Sequence, residues 1–80
     1  MNITITYCGV WNYLPRASRV EDEIKEAFSD VKIDLIESSG GVFDVTLNGS
    51  LIFSKLQRIG TDSQRFPFEG EIVALIKKAL

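Results

Sequence analysis

Eighty residues, 45% hydrophobic and 25% charged, make one ordinary globular domain and exclude both a disordered chain and a second hydrophobic core. Nine basic against eleven acidic residues leave a net charge of −2, with none of the one-sided positive field that nucleic-acid binding needs. A single cysteine excludes an internal disulfide, and the absence of histidine excludes histidine metal sites and Ser-His or Cys-His catalytic pairs; the chemistry must come from sulfur, carboxylates or backbone.

The chain opens on Ile3-Thr4-Ile5-Thr6, an alternation of β-formers that predicts a strand over residues 2–7 with Ile3 and Ile5 toward a helical layer. Cys8 follows, then Gly9-Val10-Trp11-Asn12-Tyr13, and Leu14-Pro15 begins a helical pattern. A thiol at such a strand-to-helix junction lies near a helix N-terminus, whose free amides and dipole favour an anion and lower a cysteine pKa. If Cys8 is exposed, it is a nucleophile. Ala17, Val20, Ile24, Ala27 and Phe28 make the apolar stripe of the helix, and Glu21, Asp22, Glu23 and Glu26 its solvated face. Two starts are open: near Leu14, with Pro15 in the first turn, or at Ser18, which has capping-box spacing to Glu21.

Residues 31–37 read as a second strand, ended by Ser38-Ser39-Gly40-Gly41. A third runs over 41–47, Asn48-Gly49 is a two-residue hairpin turn, and a fourth runs from Ser50 to about Leu56. That turn pairs Leu47 with Ser50 and so predicts Val45 opposite Ile52. Residues 57–66 form a polar loop. From about Pro67 to Leu80, Ile72, Val73, Leu75, Ile76, Ala79 and Leu80 give a last helix, with Glu69 and Glu71 early and Lys77 and Lys78 late as its dipole prefers. The order β-α-β-β-β-α predicts a two-layer α/β sandwich of thioredoxin-like type, a four-stranded mixed sheet with two helices, spanning 1–80 as one domain. With no signal-peptide pattern, no membrane-spanning apolar run and a free thiol, the expected address is the cytoplasm.

Four segments in this order and spacing, Tyr7-Cys8-Gly9, Gly41-Val42-Phe43-Asp44-Val45, Leu51-Ile52-Phe53-Ser54-Lys55 and Arg65-Phe66-Pro67, resemble the selenoprotein W-like (Rdx) family over essentially the whole chain. The resemblance implies a thioredoxin-like fold and a redox motif, Cys-x-x-Cys or Cys-x-x-selenocysteine, in the first loop. Cys8 matches its first position, Gly9 and Val10 lie between, and Trp11 stands where the second sulfur or selenium belongs. Selenocysteine is encoded by UGA, one base from the tryptophan codon UGG, so Trp11 reads either as the trace of a selenocysteine position or as a genuine tryptophan in a monothiol protein. The implied activity is thiol- or selenol-dependent reduction of peroxides or disulfides, an antioxidant role with glutathione or a thioredoxin system as reductant and no bound cofactor or metal. Trp11 would disable it. Tyr7, Tyr13, Arg16 and Phe66 are candidates for the rim of the site, Arg16 as a charge that could stabilise a thiolate. The competing reading is a binding module that docks a partner protein through Trp11, Tyr13, Phe66 and Phe68.

Overall fold

The computed structural model describes residues 1–80. Strand β1, Asn2–Cys8, is followed by helix α1, Leu14–Ala27, strands β2, Lys32–Ser38, β3, Phe43–Leu47, and β4, Ser50–Ser54, and helix α2, Glu71–Ala79. The sheet order is β2-β1-β3-β4, with β1 parallel to β2 and antiparallel to β3, and β3 antiparallel to β4. This is the expected thioredoxin-like α/β sandwich with a mixed sheet. No helix is long and apolar enough to cross a membrane.

Alternation along the strands decides which face is covered. Ile3, Ile5 and Tyr7 of β1 and Phe43, Val45 and Leu47 of β3 point to one side, where they form a single core with Ala17, Val20 and Ile24 of α1 and Ile72 and Ile76 of α2. Thr4, Thr6, Asp44 and Thr46 occupy the opposite, partly exposed face. Polar contacts fasten the helical layer: Arg19 of α1 donates to the Pro67 carbonyl at 3.0 Å, and Glu23 accepts the Gly70 N–H at 3.1 Å where α2 begins.

Of the two starts left open for α1 the structure takes the earlier, and α2 and β4 are shorter than expected. Helix α1 starts at Leu14, with Pro15 in its first turn, so Ser18 lies inside the helix and caps nothing. Helix α2 starts at Glu71 rather than near Pro67, because Gly70 has a left-handed φ of 78° and Glu71 turns its carboxylate back onto the Phe68 N–H at 2.8 Å. Strand β4 stops at Ser54, whose hydroxyl accepts the Gln57 N–H and starts a turn back to Ile59.

The hairpin turn forms as expected at Asn48-Gly49, both with positive φ, and pairs Leu47 with Ser50. The pairing of Val45 with Ile52 does not form. The register shifts between Thr46↔Leu51 and Val45↔Phe53, leaving Ile52 as the extra residue of a β-bulge. The shift places the fully buried Phe53 in the core and Ile52 at its edge. In urea unfolding, Phe53→Ala is therefore expected to cost about 3–5 kcal/mol and Ile52→Ala about 1 kcal/mol. Equal losses would contradict this register.

Candidate functional site: the turn between β1 and α1

Strand β1 is held on both sides to its last residue. The Cys8 N–H donates to Val42 O at 2.9 Å and the Gly9 N–H donates to Ser38 O at 3.0 Å. The chain then reverses: the Asn12 N–H reaches Gly9 O at 3.1 Å and the Tyr13 N–H reaches Cys8 O at 3.0 Å, with Asn12 at a left-handed φ of 58°. The reversal separates positions 8 and 11 by accessibility. Cys8 is 0% exposed, whereas Val10 is 78% and Trp11 61% exposed.

The condition for a nucleophilic Cys8, an exposed thiol at the helix end, is therefore not met in this chain. Closure of the turn over the end of β1 buries the sulfur, and five residues separate it from the first residue of α1. Position 11 stands nearer the N-terminus of that helix and faces solvent.

Of the four expected rim residues, the fold brings together Tyr13, Arg16 and Phe66. The rings of Tyr13 and Phe66 meet edge to face at 4.6 Å, and the Arg16 guanidinium carbon lies 4.1 Å from the Phe66 centroid. Arg16 thus rests on an aromatic face, which is what orients its charge. Tyr7 is not at the rim; its odd position in β1 directs it into the core opposite Phe43, with 8% of its surface exposed. Phe68 lies under Arg65, 4.0 Å from its guanidinium, and outside the Tyr13–Phe66 pair.

Trp11 begins an edge-to-face row running from solvent to core: Trp11 to Tyr13 at 6.1 Å, Tyr13 to Phe66 at 4.6 Å, Phe66 to Phe43 at 5.5 Å and Phe43 to Phe53 at 6.5 Å. Its indole lies on Gly41, where an added Cβ would come within 2.7 Å of the ring and φ is 78°. Gly41 therefore admits both the turn and the indole. Gly9 has a comparable role toward Glu37, whose side chain occupies the space a Cβ at Gly9 would need.

Three neighbours of the turn escaped the sequence reading. Glu37 is placed by the parallel register of β1 and β2, which sets it beside Tyr7. Lys55, 5.4 Å from the Phe66 centroid and 5.8 Å from that of Tyr13, is placed by the bulge and by the return of the 55–70 segment. Gly41 carried a signal, as one of two adjacent glycines before β3. The concavity lined by Glu23, Glu26, Ala27, Glu69, Gly70 and Val73 lies between the C-terminal half of α1 and the start of α2, apart from the turn.

Phe66 is kept in place by a clasp. Arg65 and Glu71 form a two-pronged pair at 2.7 and 2.9 Å, and Arg65 also donates to the Phe66 carbonyl at 3.1 Å. The hydrogen bonds from Arg65, aided by the Phe68 N–H, hold the Glu71 carboxyl below its usual value of about 4.5, and the same pairing raises the Arg65 pKa. A depressed carboxylate stabilises the fold above its unfolded pKa and loses that contribution as pH falls through the folded value. Glu71→Gln should accordingly lower the melting temperature at neutral pH, with the gap to the parent closing below about pH 4. A gap that keeps its size well below that pH would show that ionisation of Glu71 does not matter.

Residues 2–78 match the sequence profile of the Rdx family. The chain is 27% identical over 79 residues to migration and invasion enhancer 1 of Bos taurus and of Mus musculus, and covers 99% of itself but 64% of those relatives' length. Among solved structures it is similar to a Bordetella parapertussis protein, with a TM-score of 0.86, 25% identity and 99% and 96% of the two chains covered. It is also similar to a selenoprotein W-related protein of Vibrio cholerae, with a TM-score of 0.83, 25% identity and 98% and 94% coverage. With a core, a strand-to-helix turn and a sequence profile that agree over nearly its full length, the chain belongs to the Rdx family.

Proposed function

We propose that this Rdx protein is built for thiol- or selenol-dependent redox chemistry in which position 11 meets the substrate and Cys8 is its resolving partner. The contrast in exposure, 61% at Trp11 against 0% at Cys8, carries the proposal. With sulfur or selenium at position 11, a peroxide would oxidise that exposed anion. The O–O bond breaks, one oxygen stays on position 11 and the other leaves as water after protonation. Cys8 then bonds to position 11 as a second water leaves, and two thiols of a reductant such as glutathione become one disulfide while restoring both groups. A disulfide substrate would enter the same cycle by exchange at position 11. Such a cycle reads Trp11 as a selenocysteine position, encoded by UGA in the native gene.

As written, the chain lacks that exchange partner. Cys8 alone can form a sulfenic acid or a mixed disulfide only when the turn opens, so turnover is expected largely to disappear. A second reading, a non-catalytic binding module, is favoured by one observation: Val10, Trp11 and Leu14 expose apolar side chains within five residues of one another.

Trp11→Cys is expected to form an intramolecular disulfide between Cys8 and the thiol introduced at position 11, seen as a mass loss of two hydrogens. It should also reduce peroxide or a small disulfide with glutathione, while the parent and a Cys8→Ser/Trp11→Cys variant stay near background. A Trp11→Cys protein that forms no internal disulfide would refute the pairing. In the native gene, UGA at codon 11 with selenium in the protein supports the selenol form; UGG with tryptophan leaves the binding module as the reading.

A further inference from the structure

We infer that the turn is a docking surface for an acidic, partly apolar segment of a partner protein, received by the Val10–Trp11–Leu14 strip and by Arg16 and Lys55 at its border. The inference rests on the binding-module reading, in which tryptophan is the native residue at position 11, and names the kind of protein segment that surface takes.

The charges at this border are uncommitted. The three ion pairs of the chain use Arg19, Lys25 and Arg65, so neither Arg16 nor Lys55 has a carboxylate within 4.0 Å. Both are instead held by ring faces, Arg16 at 4.1 Å and Lys55 at 5.4 Å from the same Phe66 centroid. A ring face orients a cation without cancelling its charge. Two oriented positive charges therefore sit beside an exposed apolar strip, in a chain whose net charge is −2.

The border is also polarised. Glu37, the carboxylate against Gly9, belongs to edge strand β2. Lys55 follows β4 at the other edge, and Phe66 packs on Phe43 of β3. An acidic segment is thus attracted to the β3–β4 side and repelled on the β2 side, which gives the partner a direction across the strip. Val10, Trp11 and Leu14 are exposed rather than enclosed, and an open apolar strip with charges along one border suits an extended chain better than an enclosed small molecule.

Trp11 is the only tryptophan, so its fluorescence reports occupancy directly. The probes are three synthetic octapeptides with a central Leu-Ser, flanked by Asp and Glu in the first, by Asn and Gln in the second and by Lys in the third. The acidic peptide is expected to bind the unmodified chain about ten-fold tighter than its amide counterpart at low salt, and the difference to shrink in about 0.5 M salt. Arg16→Glu/Lys55→Glu should reverse the preference toward a Lys-flanked peptide; Arg16→Gln/Lys55→Gln, which removes the charges without adding repulsion, should abolish it. Circular dichroism checks that each variant is folded. Equal binding of acidic and amide peptides, no binding of either, or a preference that survives neutralisation in a folded variant would overturn the inference. The redox reading fails separately: a Trp11→Cys protein inert toward peroxide and small disulfides refutes it whatever the peptides do, and one that turns over while binding shows no acidic preference refutes only the docking surface.

Discussion

The two-sided grip on the end of β1 is the constraint from which the site follows. Because Cys8 and Gly9 are bonded to different neighbours, Val42 and Ser38, the strand cannot fray before the turn begins. A backbone pinned at that point must reverse within a few residues to reach α1, and the reversal at Asn12 drives Val10 and Trp11 outward. One end of one hydrogen-bonded ladder thus assigns opposite environments to two positions three residues apart. An exposed position beside a protected one is the arrangement that the proposed two-centre redox cycle uses.

The second organising element is the packing of Phe66 from a segment distant in sequence. It touches Tyr13 at the start of α1 and Phe43 in the sheet, and it carries Arg16 on its face. The segment that delivers it has little regular structure of its own. It is held by the Arg65–Glu71 pair and by two contacts from α1, Arg19 to Pro67 and Glu23 to Gly70. Loosening that clasp loosens the border of the turn, so stability and site geometry share residues.

Element types and order were legible because this chain's local signals agree with its tertiary structure: alternation in β1, helical stripes in α1 and α2, and Asn48-Gly49 between two strands. The bulge at Ile52 was not, since a two-residue turn sets register only until an extra residue intervenes. Alternation predicts Tyr7 in the core with Ile3 and Ile5, a signal that the rim reading passed over. The same alternation assigns Cys8 to the open face with Thr4 and Thr6, so its burial arises from the closure of the turn and no period in the sequence announces it. At the site, the Tyr13–Arg16–Phe66 grouping was legible; Lys55 and Glu37 arrive through long-range pairing that composition does not encode.

Membership of the Rdx family and the accessibility contrast at positions 8 and 11 support one proposal: position 11 is the one that faces substrate. The most direct measurement is the rate of thiol alkylation under native conditions in two single-cysteine proteins, the chain itself and Cys8→Ser/Trp11→Cys. A cysteine at position 11 should react at nearly the rate of a free thiol, and Cys8 at least about 100-fold more slowly until urea opens the fold. Comparable native rates at the two positions would contradict the account.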